Sequence, residues 1–291
     1  MHIPTIIWWI DIKTYEKEWL NCIFQGRHIY DGTLTKVIPG AIIVVNQLRQ
    51  NMHLFSAYIG SHTSFSIVHL SDEFLDDDYS LYTNPLCKHV FRNYIHPGLA
   101  HMKKVTHFGI GYKSEVSDIT HEAANKTCAH RSLAWSFSGY SKKSDRELLL
   151  QMWGSIEPHS IHRSGGFGVD LLQNTDYKNQ LLESKFVLCP VGNCSLDTFR
   201  IYEALENGCI PITIKRNINQ PWVRFLESYW EDLFESKVPF LCHETWEAGF
   251  LNMVELLQHA EKCELLRQKC CAFWQKYKRD LQAKVQNILC Q

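Results

Sequence analysis

Ser184-Lys185-Phe186-Val187-Leu188-Cys189-Pro190-Val191-Gly192-Asn193-Cys194-Ser195-Leu196-Asp197-Thr198-Phe199-Arg200-Ile201-Tyr202-Glu203-Ala204-Leu205-Glu206-Asn207-Gly208-Cys209-Ile210-Pro211-Ile212 is the stretch on which the fold turns. Taken physically, it is strand, loop, helix, strand. Lys185 to Cys189 is an apolar run of strand length, stopped by Pro190 and Gly192. Leu196 to Asn207 has helical spacing, Gly208 ends that helix, and Pro211 stiffens the start of the strand Ile210 to Ile214. Ser195 is the expected N-cap, and the open backbone N–H groups behind it suit an anionic phosphate.

Two faces follow from the helical period. Ile201, Ala204 and Leu205 form a packing face, while Asp197, Arg200 and Glu203 recur at spacings of three on a polar one. On that face Arg200 suits a diphosphate, and Glu203 suits the two hydroxyls of a ribose. A surface helix with an internal Arg–Glu pair has the same periodicity.

Upstream, Thr5 to Trp9 and Ala41 to Val45 are apolar runs expected of strands covered on both faces, followed by strands at Ser64 to Leu70, Lys88 to Tyr94 and Lys104 to Phe108. Gly109 to Tyr112 reads as a turn and the polar stretch from Lys113 to Arg131 as a linker. Beyond it come a strand at Leu133 to Phe137, a tight turn at Ser138-Gly139 and a helix from Asp145 to Trp153. Strands spaced for crossover helices imply parallel, doubly wound sheets. The expected organisation is an α/β chain with two Rossmann-like domains, residues 1–125 and 126–260, facing a cleft. The charged helical segment 261–291, with Leu266, Phe273, Trp274, Tyr277, Leu281, Val285 and Ile288 as an apolar stripe, is expected to pack and to cross back onto the first domain.

Composition narrows the function. The 291 residues carry 30 basic and 31 acidic side chains, so no basic excess favours nucleic acid or a membrane surface. No run approaches the roughly 20 apolar residues of a membrane span, and the N-terminus lacks a basic leader. With 11 cysteines and no CxxC pair, reduced core thiols in a cytoplasmic protein are expected.

The run from Ser184 to Ile212 resembles the exostosin-like glycosyltransferases, whose signature reads S-K-F-x-L-x-P-x-G followed by R-x-x-E-A-L-x-x-G-x-I-P-V; Ile212 stands in place of the final Val. Shorter pieces in the family's order are similar too: His69 to Glu73, Phe91 to Tyr94, Phe108 to Lys113, and Arg131 to Gly139. Within the family, the ribitol xylosyltransferase branch and the unanchored xylosyltransferases of large algal DNA viruses are most similar. The resemblance implies a GT-B fold, a UDP-sugar donor, inversion at the anomeric carbon and no obligatory metal. UDP-xylose, with a fucose-containing glycan as acceptor, is the specific expectation.

Inverting transfer needs a base for the acceptor hydroxyl and a cationic or N–H clamp for the departing diphosphate. Asp72, at the carboxyl end of the strand Ser64 to Leu70, is the expected base and Glu73 the alternative, with a loop-capping role for Asp72 left open. The donor site is expected to use Ser138, Gly139, Arg146, Pro190, Ser195, Arg200 and Glu203. Arg92 and Tyr112 are expected at the acceptor or in interdomain contacts, and His69 in the core. Asp76-Asp77-Asp78 fits the loose Asp-x-Asp pattern of metal-dependent GT-A transferases, and a catalytically inactive UDP- or glycan-binding protein is a further alternative. His159-x-x-His162 lacks zinc spacing, Gly165 to Gly168 reads as a loop, and Trp8, Trp9, Trp222 and Trp230 are core aromatics or sugar platforms.

Overall fold

The computed structural model describes residues 3–9, 15–30, 38–60, 63–99, 101–117, 125–143, 146–166, 168–215 and 229–289. Trp222, Phe167, Asp145 and the middle of the expected linker lie outside them. The chain divides into two compact units, residues 1–110 with 278–291, and residues 111–277. Each is built on its own sheet, and every strand pair in both is parallel.

In the first unit, β1 (Thr5–Trp8), β2 (Arg27–Ile29), β3 (Ala41–Val45), β4 (Phe65–His69), β5 (Cys87–Arg92) and β6 (Val105–His107) stand in the order β2-β1-β3-β4-β5-β6. The central strands β3 and β4 are buried at every residue, as expected of parallel strands with both faces covered. Helices α1 (Lys17–Ile23) and α2 (Leu48–Ile59) supply Trp19, Leu20, Phe55 and Ile59 to the core. Non-glycine residues adopt left-handed backbone just beyond β3, β4 and β5: Gln47 (φ 49°), Ser71 (φ 65°) and Tyr94 (φ 59°). Such strain persists only where surrounding contacts hold it, and it gathers at functional edges.

The second unit holds β7 (Leu133–Tyr140), β8 (His159–Ser164), β9 (Ser184–Leu188), β10 (Ile210–Ile214) and β11 (Leu241–His243), in the order β11-β10-β9-β7-β8. Helices α3 (Arg146–Trp153), α4 (Asn174–Glu183), α5 (Phe199–Glu206), α6 (Tyr229–Phe234), α7 (Trp246–Gln258) and α8 (Ala260–Leu289) follow. Arg131, buried inside this unit, donates to the carbonyls of Lys126, Leu181, Ser184 and Asn207, tying the start of β7 to β9 and to the end of α5. The aromatic stripe of α8 packs as core: Trp274 is fully buried and donates from Nε1 to Glu206 Oε2 at 2.5 Å. The last turns of α8 group with the first unit, where Gln282 donates to Cys22 O at 2.8 Å.

Two local expectations need correction. Ser138-Gly139 is not a turn but lies inside β7, paired in register with His162 and Arg163 of β8. The segment with His159-x-x-His162 is that strand, and its polar sequence fits the edge position it holds. Ser195 is not the helix N-cap; α5 starts at Phe199 behind Thr198, and Ser195 Oγ instead accepts the Asp197 N–H at 3.0 Å within the loop.

Candidate active site

Renumbered within the second unit, its strands run 2-1-3-4-5 across the sheet, with strand order reversing between β7 and β9. In open α/β sheets, ligands bind outside the carboxyl ends of the strands at that reversal. Here those ends carry Ser138, Gly139, Cys189 and Pro190, with Arg200 on the first turn of α5.

Arg200 lies flat on the end of β7. Its Nε donates to Ser138 O at 2.7 Å, and its Cζ sits 5.0 Å from the centroid of the Phe137 ring. Gly139 makes this possible: it has φ 145°, and a Cβ there would fall 2.0 Å from Arg200 Nη2. Phe137-Ser138-Gly139 is thus a seat that holds a half-buried guanidinium at the sheet's carboxyl end.

One turn further along α5, Glu203 is buried at 2 % exposure. Tyr177 of α4 donates its hydroxyl to Glu203 Oε2 at 2.6 Å, while Oε1 has no hydrogen-bond partner among the described residues. Burial raises the Glu203 carboxyl above its usual range, with the Tyr177 hydroxyl and the charges of Lys113 and Arg200 opposing. A buried carboxylate oxygen without a donor costs on the order of 1–3 kcal/mol, so a ligand hydroxyl is a fitting complement. Thr198, at the start of α5, likewise leaves its buried Oγ1 without a partner among the described residues.

Arg146 opens α3 as expected, but its guanidinium donates to Tyr140 O at 2.7 Å and to Val191 O. It therefore braces the loops after β7 and β9. Pro190 and Ser195 are buried in the second of these loops, where Gly192 N donates to Ser195 O at 2.7 Å. The sequence does not flag Tyr177 or Thr198: one is a lone tyrosine in a polar helix, the other an unremarkable loop threonine.

The first unit gathers a second group of expected residues at the carboxyl ends of β4 and β5. Asp72 is buried, and both of its oxygens are engaged. Oδ1 accepts the N–H groups of Asp76 and Asp77 at 3.0 and 3.2 Å, and Oδ2 accepts Tyr79 Oη at 2.6 Å and Arg92 Nη2 at 2.9 Å. Its side chain is 2 % exposed. That is the loop-capping role left open above. Glu73, the next residue, is partly exposed.

Arg92 is fully buried as the partner of Asp72 and also donates to the carbonyls of Asn93 and Tyr94. Tyr112, in the second unit, is buried at 4 % exposure. Neither is offered to solvent as an acceptor contact. His69 is a core histidine, bonded to Tyr82 Oη at 2.5 Å and to Asp77 Oδ2 at 2.8 Å. Asp77 in turn accepts the first N–H groups of α2, from Leu48 at 2.8 Å and from Arg49, so the three-aspartate loop is a helix cap. These donors hold the Asp77 carboxyl well below its usual range despite burial, the His69 hydrogen bond contributing most. Among the described residues no His, Cys, Asp or Glu group has metal-binding geometry, and no helix is long and apolar enough to cross a membrane.

The second unit is thus a parallel, doubly wound α/β fold with Arg200 and the buried Glu203 at its switch point. Residues 91–229 match the Exostosin GT47 domain family, and residues 171–291 match the family described as RXYLT1 C-terminal domain. Over 106 residues, 35 % of this chain, the sequence is 32 % identical to Exostosin-1 of Drosophila melanogaster, of which the match spans 12 %. Together these matches make residues 91–291 similar to exostosin-like proteins of the GT47 type.

Proposed function

We propose that this chain is a UDP-sugar-dependent, inverting glycosyltransferase of the GT-B type, with its donor site at the β7–β9 switch point. The observation that carries the proposal is the pairing of a seated Arg200 with a buried Glu203 whose Oε1 has no hydrogen-bond partner among the described residues. Arg200 stabilises the departing diphosphate, aided by Thr198 Oγ1 and the N–H groups at the start of α5. Glu203 Oε1 accepts from the ribose hydroxyls while Tyr177 holds the other carboxylate oxygen. Arg146, Pro190, Ser195, Ser138 and Gly139 shape the pocket rather than carry charge to it. Glu73 takes the role of base from Asp72, whose oxygens are spent on the loop and on Arg92. Xylose as the transferred sugar, a glycan as acceptor and independence from metal complete the proposal; the resemblance in the Ser184 to Ile212 run and the two family matches support it.

The test is a thermal-shift panel of UDP, GDP, UDP-xylose, UDP-glucose, UDP-galactose and UDP-N-acetylglucosamine, with and without chelator. Stabilisation by UDP species that survives chelation is expected, with UDP-xylose strongest. A response that needs manganese would favour a metal-dependent transferase. UDP binding without turnover on any glycan acceptor would favour an inactive binding protein, and no response at all would sink the donor site.

A further inference from the structure

Cys128 and Cys263 lie 135 residues apart in sequence, yet their Sγ atoms stand 3.6 Å apart in the second unit, both nearly buried. Cys128 belongs to the short 3-10 turn Cys128–His130 that leads into β7, and Cys263 to the first turn of α8. A second contact fixes the two segments together: the Cys128 backbone N–H donates to Glu264 Oε2 at 2.8 Å, and Arg267 clasps the same carboxylate at 2.8 to 3.1 Å. The sulfurs are therefore held at contact distance by groups other than themselves. They need to close by about 1.5 Å to reach the ~2.05 Å of a bond.

The surroundings divide the two thiols into unequal partners. The Sγ–Sγ hydrogen bond with Cys128, together with the positive charges of Lys185 and Arg267, lowers the Cys263 thiol, whereas the same contact, burial and the nearby Glu264 raise Cys128. A thiol shifted down at a helix N-terminus beside one shifted up is the arrangement for stepwise exchange.

We propose that Cys128 and Cys263 are a disulfide-forming pair: thiols while the chain is kept reduced, a bond when it meets a low-molecular-weight disulfide. When local opening at the start of α8 exposes it, Cys263 attacks as the thiolate one sulfur of glutathione disulfide, forming a mixed disulfide and expelling one glutathione thiolate. Cys128 then loses its proton to solvent and attacks Cys263 Sγ, expelling the second. Two protein thiols are oxidised to one disulfide, and one glutathione disulfide is reduced to two glutathiones. The bond pins the turn ahead of β7, and with it the strand that seats Arg200, to the start of α8. It would do so whether or not the proposed transferase activity is correct.

The full chain, incubated with glutathione disulfide at pH 8, alkylated and digested without reduction, is mapped by mass spectrometry. The expected product is a peptide pair joined through Cys128 and Cys263. It should come with a midpoint of thermal unfolding raised by roughly 5–15 °C, which dithiothreitol reverses. Cys128→Ser and Cys263→Ser should each abolish both the linked pair and the shift. Mapping the native chain needs no variant, so a variant that fails to fold leaves the test intact. Recovery of both residues as alkylated thiols, or of either bonded to glutathione or to Cys209, Cys270 or Cys271, overturns the proposal.

Discussion

Gly139→Ala is the most searching perturbation of the donor site, because it displaces the Arg200 guanidinium without removing its charge. The added methyl would stand 2.0 Å from Arg200 Nη2 and 3.0 Å from its Cζ, so the guanidinium must leave its seat. Leaving forfeits a charge-assisted hydrogen bond to Ser138 O, about 1.5–3 kcal/mol, and the contact with the Phe137 ring, about 0.5–2 kcal/mol. Alanine at φ 145° adds backbone strain of about 1–3 kcal/mol. Solvation of the released guanidinium returns part of this, leaving a net cost of about 2–4 kcal/mol. For a unit of this size that is a fall of roughly 5–15 °C in unfolding midpoint. UDP affinity should fall roughly 10- to 100-fold, the equivalent of one charge-assisted contact.

The assay is thermal unfolding with titration calorimetry of UDP, run as a double-mutant cycle with Arg200→Ala. In the Arg200→Ala background nothing remains to clash, so Gly139→Ala should cost only the backbone strain and leave the residual UDP affinity unchanged. Additive effects in that cycle would refute the seat, as would a Gly139→Ala protein that melts within about 1 °C of wild type and binds UDP normally.

Glu203→Ala should weaken UDP binding by about 1–3 kcal/mol, and Tyr177→Phe by less, since it frees the carboxylate without removing it; unchanged calorimetric affinity in Glu203→Ala would remove the ribose role. Glu73→Gln is expected to cut turnover by roughly 10²-fold with UDP affinity intact. Asp72→Asn should instead show up in urea melts, where breaking a buried ion pair costs about 3–5 kcal/mol; a stable Asp72→Asn protein with no turnover would return the base to Asp72. His107, whose imidazole burial and the Arg92, His96 and Lys284 charges lower to about 4, is neutral in the folded state. Its folded value lies below the unfolded one of ~6.5, so its stabilisation is present above pH 6.5 and lost as pH falls towards 4, about 2 kcal/mol by pH 5. Urea melts at pH 7 and pH 5 should show a smaller loss in His107→Asn than in wild type; parallel losses would contradict this.

The sheet strands were legible where burial on both faces leaves an unbroken apolar run, as in Ala41–Val45 and Ile210–Ile214, which fold as read. The edge strand Val105–His107 was also read, but the edge strands Arg27–Ile29, His159–Ser164 and Leu241–His243 were not. His159–Ser164 has one flank open to solvent and a sequence to match, so nothing in its composition separates it from a loop. Helix periodicity brought Arg200 and Glu203 to notice, yet it could not show that Arg200 lies on Gly139 or that Tyr177 reaches Glu203, since both contacts join segments 26 or more residues apart. Asp72 shows the converse: its place after β4 suits a base, and only the four donors around it reveal an anchor.

The run of α8 through the boundary between the units bears on the order in which the chain is completed. Residues 111–277 hold every strand of the second sheet and can condense once they have left the ribosome, while the first unit still lacks its last piece. Gln282 and Gln286, which donate to the carbonyls of Cys22 and Gln25, are synthesised more than 250 residues after their partners. The half of the protein made first is thus finished last, so a premature stop near residue 278 would injure the amino-terminal unit and spare the switch-point site in the other.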